Sequence, residues 1–225
     1  MTMLPGSYAV SAPGMMRRGT RPAASFAGPI EMMGALVAFA RDAEVYGEGE
    51  AADCVYKVVR GTVRTSKVLA DGRRQIGAFY FAGDMFGLEA GDAHVFSAEA
   101  IDAAQVVVVR RGALVARAAR DGAVAQEVWT LIGRELARAQ MRGLLLMKTA
   151  QERVAGFLLD MAARQGAGDT VELAMSRQDI ADYLGLTVET VSRTLSGLVG
   201  DAAIELPNAR RVALRNLPAL RRMTA

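Results

Sequence analysis

Ser176-Arg177-Gln178-Asp179-Ile180-Ala181-Asp182-Tyr183-Leu184-Gly185-Leu186-Thr187-Val188-Glu189-Thr190-Val191-Ser192-Arg193-Thr194-Leu195-Ser196-Gly197 holds two short helical patterns on either side of one glycine. Ser176 and Asp179 stand as a Ser-x-x-Asp pair, whose oxygens take up the orphan N–H groups of a helix start. Ile180, Ala181 and Leu184 make an inner stripe, and Ala181 is small enough for a second helix to cross closely. Gly185 supplies the left-handed residue that a sharp turn between helices requires. Leu186 fills the turn, Thr187 caps the next helix, and Val191 with Leu195 returns it to the first. This is the pattern of a helix-turn-helix, whose second helix enters the major groove of DNA.

From a cap at Thr187, the residues Val188, Glu189, Ser192 and Arg193 fall in the first two turns of that second helix. Glu189 and Arg193 are four apart and share a face. A guanidinium bonds guanine O6 and N7 together, and a carboxylate accepts from cytosine N4. Ser192 suits either class of base, and Val188 offers an apolar contact to a thymine methyl. Thr190 and Arg177 join them as expected DNA-contacting residues. Taken alone, Glu189 and Arg193 would read as an exposed ion pair worth about 0.3–0.5 kcal/mol. Within a complete helix-turn-helix, base reading is the expectation.

These residues resemble a family. Tyr183-Leu184-Gly185-Leu186-Thr187 followed by Val188-Glu189-Thr190-Val191-Ser192-Arg193 is similar to the recognition element of the CRP/FNR transcription regulators. The Glu-x-x-Ser-Arg form is that of the FNR-like and FixK-like branches. The resemblance runs from about residue 30 to the end of the chain. It implies that Glu189, Ser192 and Arg193 read TTG…CAA-type half-sites of a palindrome. It further implies an α+β architecture: a β-roll, a long dimerisation helix and a C-terminal winged helix-turn-helix. Thr194 departs from the usual aliphatic residue, and Leu195 beside it fills the same space. In relatives, a patch on the β-roll near the segment matching Ile76 to Asp84 touches RNA polymerase. Gly83 and Asp84 keep that pattern, although Ala82-Gly83-Asp84 is also a good turn.

Composition is that of a globular chain: 225 residues, 52% hydrophobic and 23% charged, enough for two small domains. A net charge of +3 is too small to argue nucleic-acid binding by itself. Its distribution says more, because residues 206–225 hold Arg210, Arg211, Arg215, Arg221 and Arg222 and no acid. Such a tail suits phosphate contacts, or is simply a solvated surface. No run approaches the ~20 apolar residues that span a bilayer, and the start lacks a basic-then-apolar leader pattern, so a cytoplasmic protein without membrane contact is expected.

Residues 1–28 mix Pro, Gly and Arg without periodicity and read as a mobile arm. A short helix is expected over 31–40. From 43 to 112 the rhythm changes to strands and turns, with strand patterns at 45–46, 55–59, 62–69, 75–81 and 100–110. Asp71-Gly72 marks a hairpin. Many short strands at this spacing predict a small barrel or jelly roll over 29–121, which the resemblance makes a sensor-type β-roll. A long helix is expected at about 122–148, placed in a dimerisation segment over 122–149. Trp129, Ile132, Leu136, Ala139, Gly143, Leu146 and Ala150 recur at alternating steps of three and four, a heptad seam. The seam either covers the β-roll or pairs two copies in parallel; a two-fold dimer sets its recognition helices one DNA turn apart. The DNA-binding domain is then 150–225, with a first helix at 151–163 and a β-wing from 203–206 and 211–214.

The residues also constrain what a sensor domain could hold. An iron–sulfur cluster needs four thiolates, and Cys54 is the sole cysteine. Haem usually takes an axial His, and His94, the single histidine, lies near a turn and reads as a surface or hydrogen-bonded residue. A metalloenzyme on a similar roll needs several converging His or carboxylate ligands, so neither enzyme nor metal site is expected. Family members that bind cyclic nucleotide use an Arg-Ser/Thr-Ala run for the phosphate. Here Phe96-Ser97-Ala98 stands there, and Phe96 offers an anion no charge-assisted contact, while Glu89 nearby would repel it. The expected protein has no cofactor and acts without a small effector, as FixK-like members do. An effector-gated DNA-binding protein is the alternative. Cys54 reads as a small core residue, with a redox role as its alternative.

Overall fold

The Asp71-Gly72 turn closes a hairpin between Thr62–Val68 (β4) and Arg74–Phe81 (β5), with Gly72 in the left-handed region at φ 82°. In this computed structural model, residues 29–166 and 168–224 are described. The arm read over 1–28 lies outside them. Around the hairpin, Glu44–Tyr46 (β2) and Ser97–Ala100 (β7) complete one four-stranded antiparallel sheet, in the order β2-β7-β4-β5. The facing sheet runs β1-β8-β3-β6, from Ala35–Phe39 (β1), Cys54–Arg60 (β3), Met85–Phe86 (β6) and Ala104–Arg110 (β8).

Tyr46, Tyr56, Val58, Val63, Tyr80, Phe86 and Val106 fill the space between the sheets. Alternation along a strand sends neighbours to opposite faces. Val55, Val107 and Val109 therefore point the other way, under helical cover with Leu114 and Val124. Burial on both faces is why 106–109 is four consecutive valines.

Two expectations in this region are corrected. The helix read over 31–40 is a single 3₁₀ turn, Glu31–Met33, followed by β1. A Cβ at Gly34 would lie 2.5 Å from the Val108 carbonyl oxygen, so only glycine lets the chain drop onto β8. Pairing with a distant strand overrode the local preference. The strand read over 100–110 is two strands, because the chain crosses between sheets at Ile101-Asp102-Ala103. There the Asp102 carboxylate accepts from the Thr62 N–H at 2.7 Å.

Arg111–Ala118 (α1), unexpected from the sequence, leads into Gly122–Leu145 (α2), three residues shorter than the helix read to 148. Asp121 caps α2 at the backbone of Ala123 and Val124. Ala150, read as the end of the seam, instead opens the next helix, Ala150–Gln165 (α3), behind a Thr149–Glu152 capping box. Then come Thr170–Glu172 (β9), Arg177–Leu184 (α4), Val188–Gly200 (α5), Ile204–Asn208 (β10), Arg211–Leu214 (β11) and Leu217–Met223 (α6). The wing expected at 203–214 is present as β10 and β11. Neither β9, the third strand of its sheet, nor α6 was anticipated.

The β-sandwich and the C-terminal segment share a core. Ile76 and Phe79 of β5 belong to the same buried cluster as Val154, Phe157, Leu158, Met161, Ile180 and Leu184.

Candidate nucleic-acid interface

The helix-turn-helix forms at the residues the sequence marked. Ser176 and Asp179 make a complete capping box at the start of α4, and Gly185 ends it at φ 63°. Thr187 caps α5 by accepting from the Thr190 N–H at 3.2 Å. Val191, Leu195 and Leu198 are buried against α3 and α4. Leu195 thus fills the space beside Thr194.

The outward face of α5 carries Glu189, Ser192 and Arg193, all exposed. No hydrogen bond joins Glu189 to Arg193, which acts on the carboxylate through charge alone. The Glu189 backbone N–H, followed by the Thr187 hydroxyl, holds that carboxyl below the usual range, so it is ionised at neutral pH. A carboxylate with acceptor sites to spare and a fork of donors are therefore exposed, four residues apart, at the start of a helix.

Other expected contacts are placed differently. Val188 is half-buried and packs partly against the core. Thr190 lies 3.0 Å, hydroxyl to hydroxyl, from Thr187 and belongs to the cap. Arg177 opens α4 and reaches the wing turn, donating weakly to the Ala209 carbonyl at 3.4 Å. Its Nη1 is buried without a hydrogen-bond partner. Sequence reading missed Ser196, exposed one turn beyond Ser192 and donating to the Ser192 carbonyl at 3.1 Å. Its i+4 spacing from Ser192 was the available signal. In the basic tail, Arg211 is paired with Glu172 and Arg215 with Glu205. Arg210, Arg221 and Arg222 are exposed outside those pairs.

The seam residues of α2 face outward. Trp129 is 73% exposed, Ile132 43% and Leu136 58%. Ala139 and Gly143 are also exposed, while Leu146 is half-buried beside the turn at Gly185. A different stripe of α2, Val124, Val128 and Leu131, covers the outer sheet. The seam is thus not the cover of the β-sandwich.

The polymerase-contact expectation needs correction at Ile76, which is fully buried in the shared core. Asp84 is also turned inward, bonded to Arg138 and Arg164 at 2.7 Å each. Of the three, Gly83 is exposed, next to the exposed Ala82 of the same turn.

Inside the sandwich, the interior is packed with rings. His94 is 2% exposed, stacks on Tyr46 at 3.6 Å and has both ring nitrogens buried without a hydrogen-bond partner, which corrects its reading as a surface or hydrogen-bonded residue. Tyr56 and Tyr80 stack on Phe86. Phe96 is half-buried, and the Ser97 hydroxyl accepts from the Glu48 N–H at 2.9 Å. Cys54 is half-buried at the edge of this core. No helix among the described residues is long and apolar enough to cross a membrane.

Residues 36–121 match the cyclic nucleotide-binding domain family, and residues 152–223 match the Crp-like helix-turn-helix domain family. The chain is 51% identical over 200 residues to the nitrogen fixation regulation protein FixK of Azorhizobium caulinodans, covering 86% of this chain and 81% of that one. It is 42% identical over 179 residues to FixK of Rhizobium meliloti, covering 79% and 82%. Among solved structures, FixK2 from Bradyrhizobium japonicum superposes with a TM-score of 0.80 at 47% identity, covering 85% of this chain and 98% of that one.

Proposed function

Because the chain belongs to the CRP/FNR family of transcription regulators, we propose that it binds a palindromic TTG…CAA-type site as a homodimer and activates transcription there. It is a FixK-like regulator and not an enzyme. The observation that carries the reading is the unpaired Glu189, Ser192 and Arg193 face of α5. In this reading Arg193 takes guanine O6 and N7, Glu189 takes cytosine N4, and Arg177 with the wing and α6 arginines takes phosphates.

Dimerisation is assigned to the outward seam of α2, Trp129, Ile132, Leu136, Ala139 and Gly143, with Leu146, half-buried just past the end of the helix, at its margin. Exposed apolar side chains in one heptad register favour a second copy of the same helix. An activator must also meet RNA polymerase, and the open Gly83 turn is the part of the expected patch left free for that. The relatives' role in nitrogen fixation supports control of nitrogen or low-oxygen metabolism in the cytoplasm.

Effector-free action is the reading we favour. Rings occupy the sandwich interior, and Phe96 gives a cyclic phosphate no cation. The test is DNA binding by the purified protein in air with nothing added, alongside calorimetry with cyclic AMP and cyclic GMP. Tight palindrome binding and no heat of nucleotide binding are expected. A nucleotide-dependent gain in DNA affinity would overturn the effector-free reading. Loss of binding on oxidation that disappears in Cys54→Ser would assign a redox role to that thiol instead.

A further inference from the structure

Asp179 is the third residue of α4, and its two carboxylate oxygens serve different parts of the molecule. One accepts from the Ser176 backbone N–H at 2.9 Å and the Ser176 hydroxyl at 2.8 Å, closing the helix cap. The other accepts from Arg64 Nη1 at 3.0 Å and Arg74 Nη2 at 2.6 Å, which come from the β4–β5 hairpin of the sandwich. The side chain is 4% exposed. Neither guanidinium is loose. Arg64 is anchored on Glu99 of β7 through Nε at 2.9 Å and Nη2 at 2.7 Å. Arg74 also donates from Nε to Asp182 at 2.7 Å. Beside them, the Gln75 amide donates to the Asp182 carbonyl at 2.7 Å. One residue on, Tyr183 packs on Phe79 and Phe157 with the Arg142 guanidinium 5.0 Å from its ring.

A helix cap needs only Ser176 and Asp179, so two guanidiniums from another sheet exceed what the cap requires. Burying such a network brings little net stability, because desolvation offsets most of the attraction. Its best-attested use is to select one arrangement among several. Planar guanidiniums with fixed donor directions suit that use. The contact is made by the face of α4 turned to the sandwich, whereas Glu189, Ser192 and Arg193 lie on the exposed side of α5. Docking therefore leaves the reading face uncovered.

We propose that the Arg64–Asp179–Arg74 fork is a positioning device that sets the angle of the helix-turn-helix against the sandwich and α2, and so sets the half-site spacing the protein accepts. The proposal rests on the homodimer-on-palindrome reading. With each recognition helix already aimed, the second half-site is engaged without a further ordering cost, and linkage contributes fully only when both sites can be reached together.

The test uses the full-length Arg64→Gln/Arg74→Gln protein, with sedimentation to establish that it remains a dimer. Affinity is measured for palindromes of native half-site spacing, for versions with a base pair or two inserted or removed, and for a single half-site. The wild type should prefer native spacing. The double variant should lose on the order of tenfold there, a part of the 10²–10⁴ that linkage can supply, and lose little on the altered spacings and the half-site. Arg74→Lys, which keeps one charge but not the fork, should fall between. If the double variant does not fold, Arg74→Gln alone reads the same change at smaller amplitude. An equal loss on every duplex, unchanged discrimination, or tighter binding would each overturn the proposal while leaving the dimer reading intact. A wild type indifferent between palindrome and half-site would remove the dimer reading first, and this inference with it.

Discussion

Arg164 of α3 donates to Asp84 of the sandwich at 2.7 Å, joining the DNA-binding segment to a turn that the sequence suggested for polymerase contact. The same carboxylate accepts from Arg138 of α2 at 2.7 Å and from the Phe81 N–H at 2.9 Å. Three elements thus converge on one side chain. The Arg164 guanidinium also lies 4.6 Å from the Phe81 ring.

Asp84→Ala should destabilise the protein by about 1–3 kcal/mol, because Arg138 and Arg164 lose their shared partner and keep only Glu135 and, for Arg164, Asp160 and the Phe79 carbonyl. Urea unfolding reads the change. A variant of unchanged stability that has lost only transcription would instead return Asp84 to the polymerase surface.

Acid should loosen the junction before it melts the whole chain. Burial alone would raise the carboxyls of Asp84 and Asp179. For Asp84 that is outweighed by Arg164, the Phe81 N–H and Arg138; for Asp179 by the Ser176 groups, Arg64 and Arg74. Both therefore titrate below the unfolded value of about 3.9. A depressed carboxyl contributes stability that is fully present above the unfolded pKa and is lost as pH falls through the folded one. Asp160 is shifted upward and acts in the opposite sense, but its side chain is 48% exposed, so solvent screening keeps its contribution small. Stability should hold or rise slightly from neutral pH down to about 4 and then drop. Thermal melts across that range check it, and a steady decline beginning near pH 6 would contradict it.

Arg193→Ala should lose about 1–3 kcal/mol on the cognate site without a change in melting temperature, since the side chain is exposed and outside the cap. Glu189→Ala should relax the preference at one base position. Titrations on cognate and random duplexes decide the matter. Equal weakening on both would make Arg193 a phosphate contact.

Ile132→Asp and Leu136→Asp should give folded monomers, because both side chains are exposed on a single chain and a charge buried in the seam is strongly unfavourable. Sedimentation should show the monomer, and DNA affinity should fall as linkage between half-sites is lost. Dimers that survive both changes would move the interface elsewhere.

What could be read in the sequence is what is local. The Ser176–Asp179 cap, the left-handed Gly185, the Thr187 cap and the Glu189–Arg193 face all depend on residues within a turn or two of each other, where backbone geometry sets the outcome. The Asp71-Gly72 hairpin and the heptad spacing of α2 belong to the same class, whereas the outward direction of that seam was set by the packing of Val124, Val128 and Leu131. Tertiary structure decided the rest. Ala35–Phe39 became a strand because β8 lay beside Gly34, and Val188 and Thr190 are partly engaged by the core and the cap. Arg64 and Asp179 are 115 residues apart and Asp84 and Arg164 are 80 apart. No periodicity or spacing pairs such residues. Their partnership arises only when sheet and helices pack, and burial makes an unpaired charge too costly to leave.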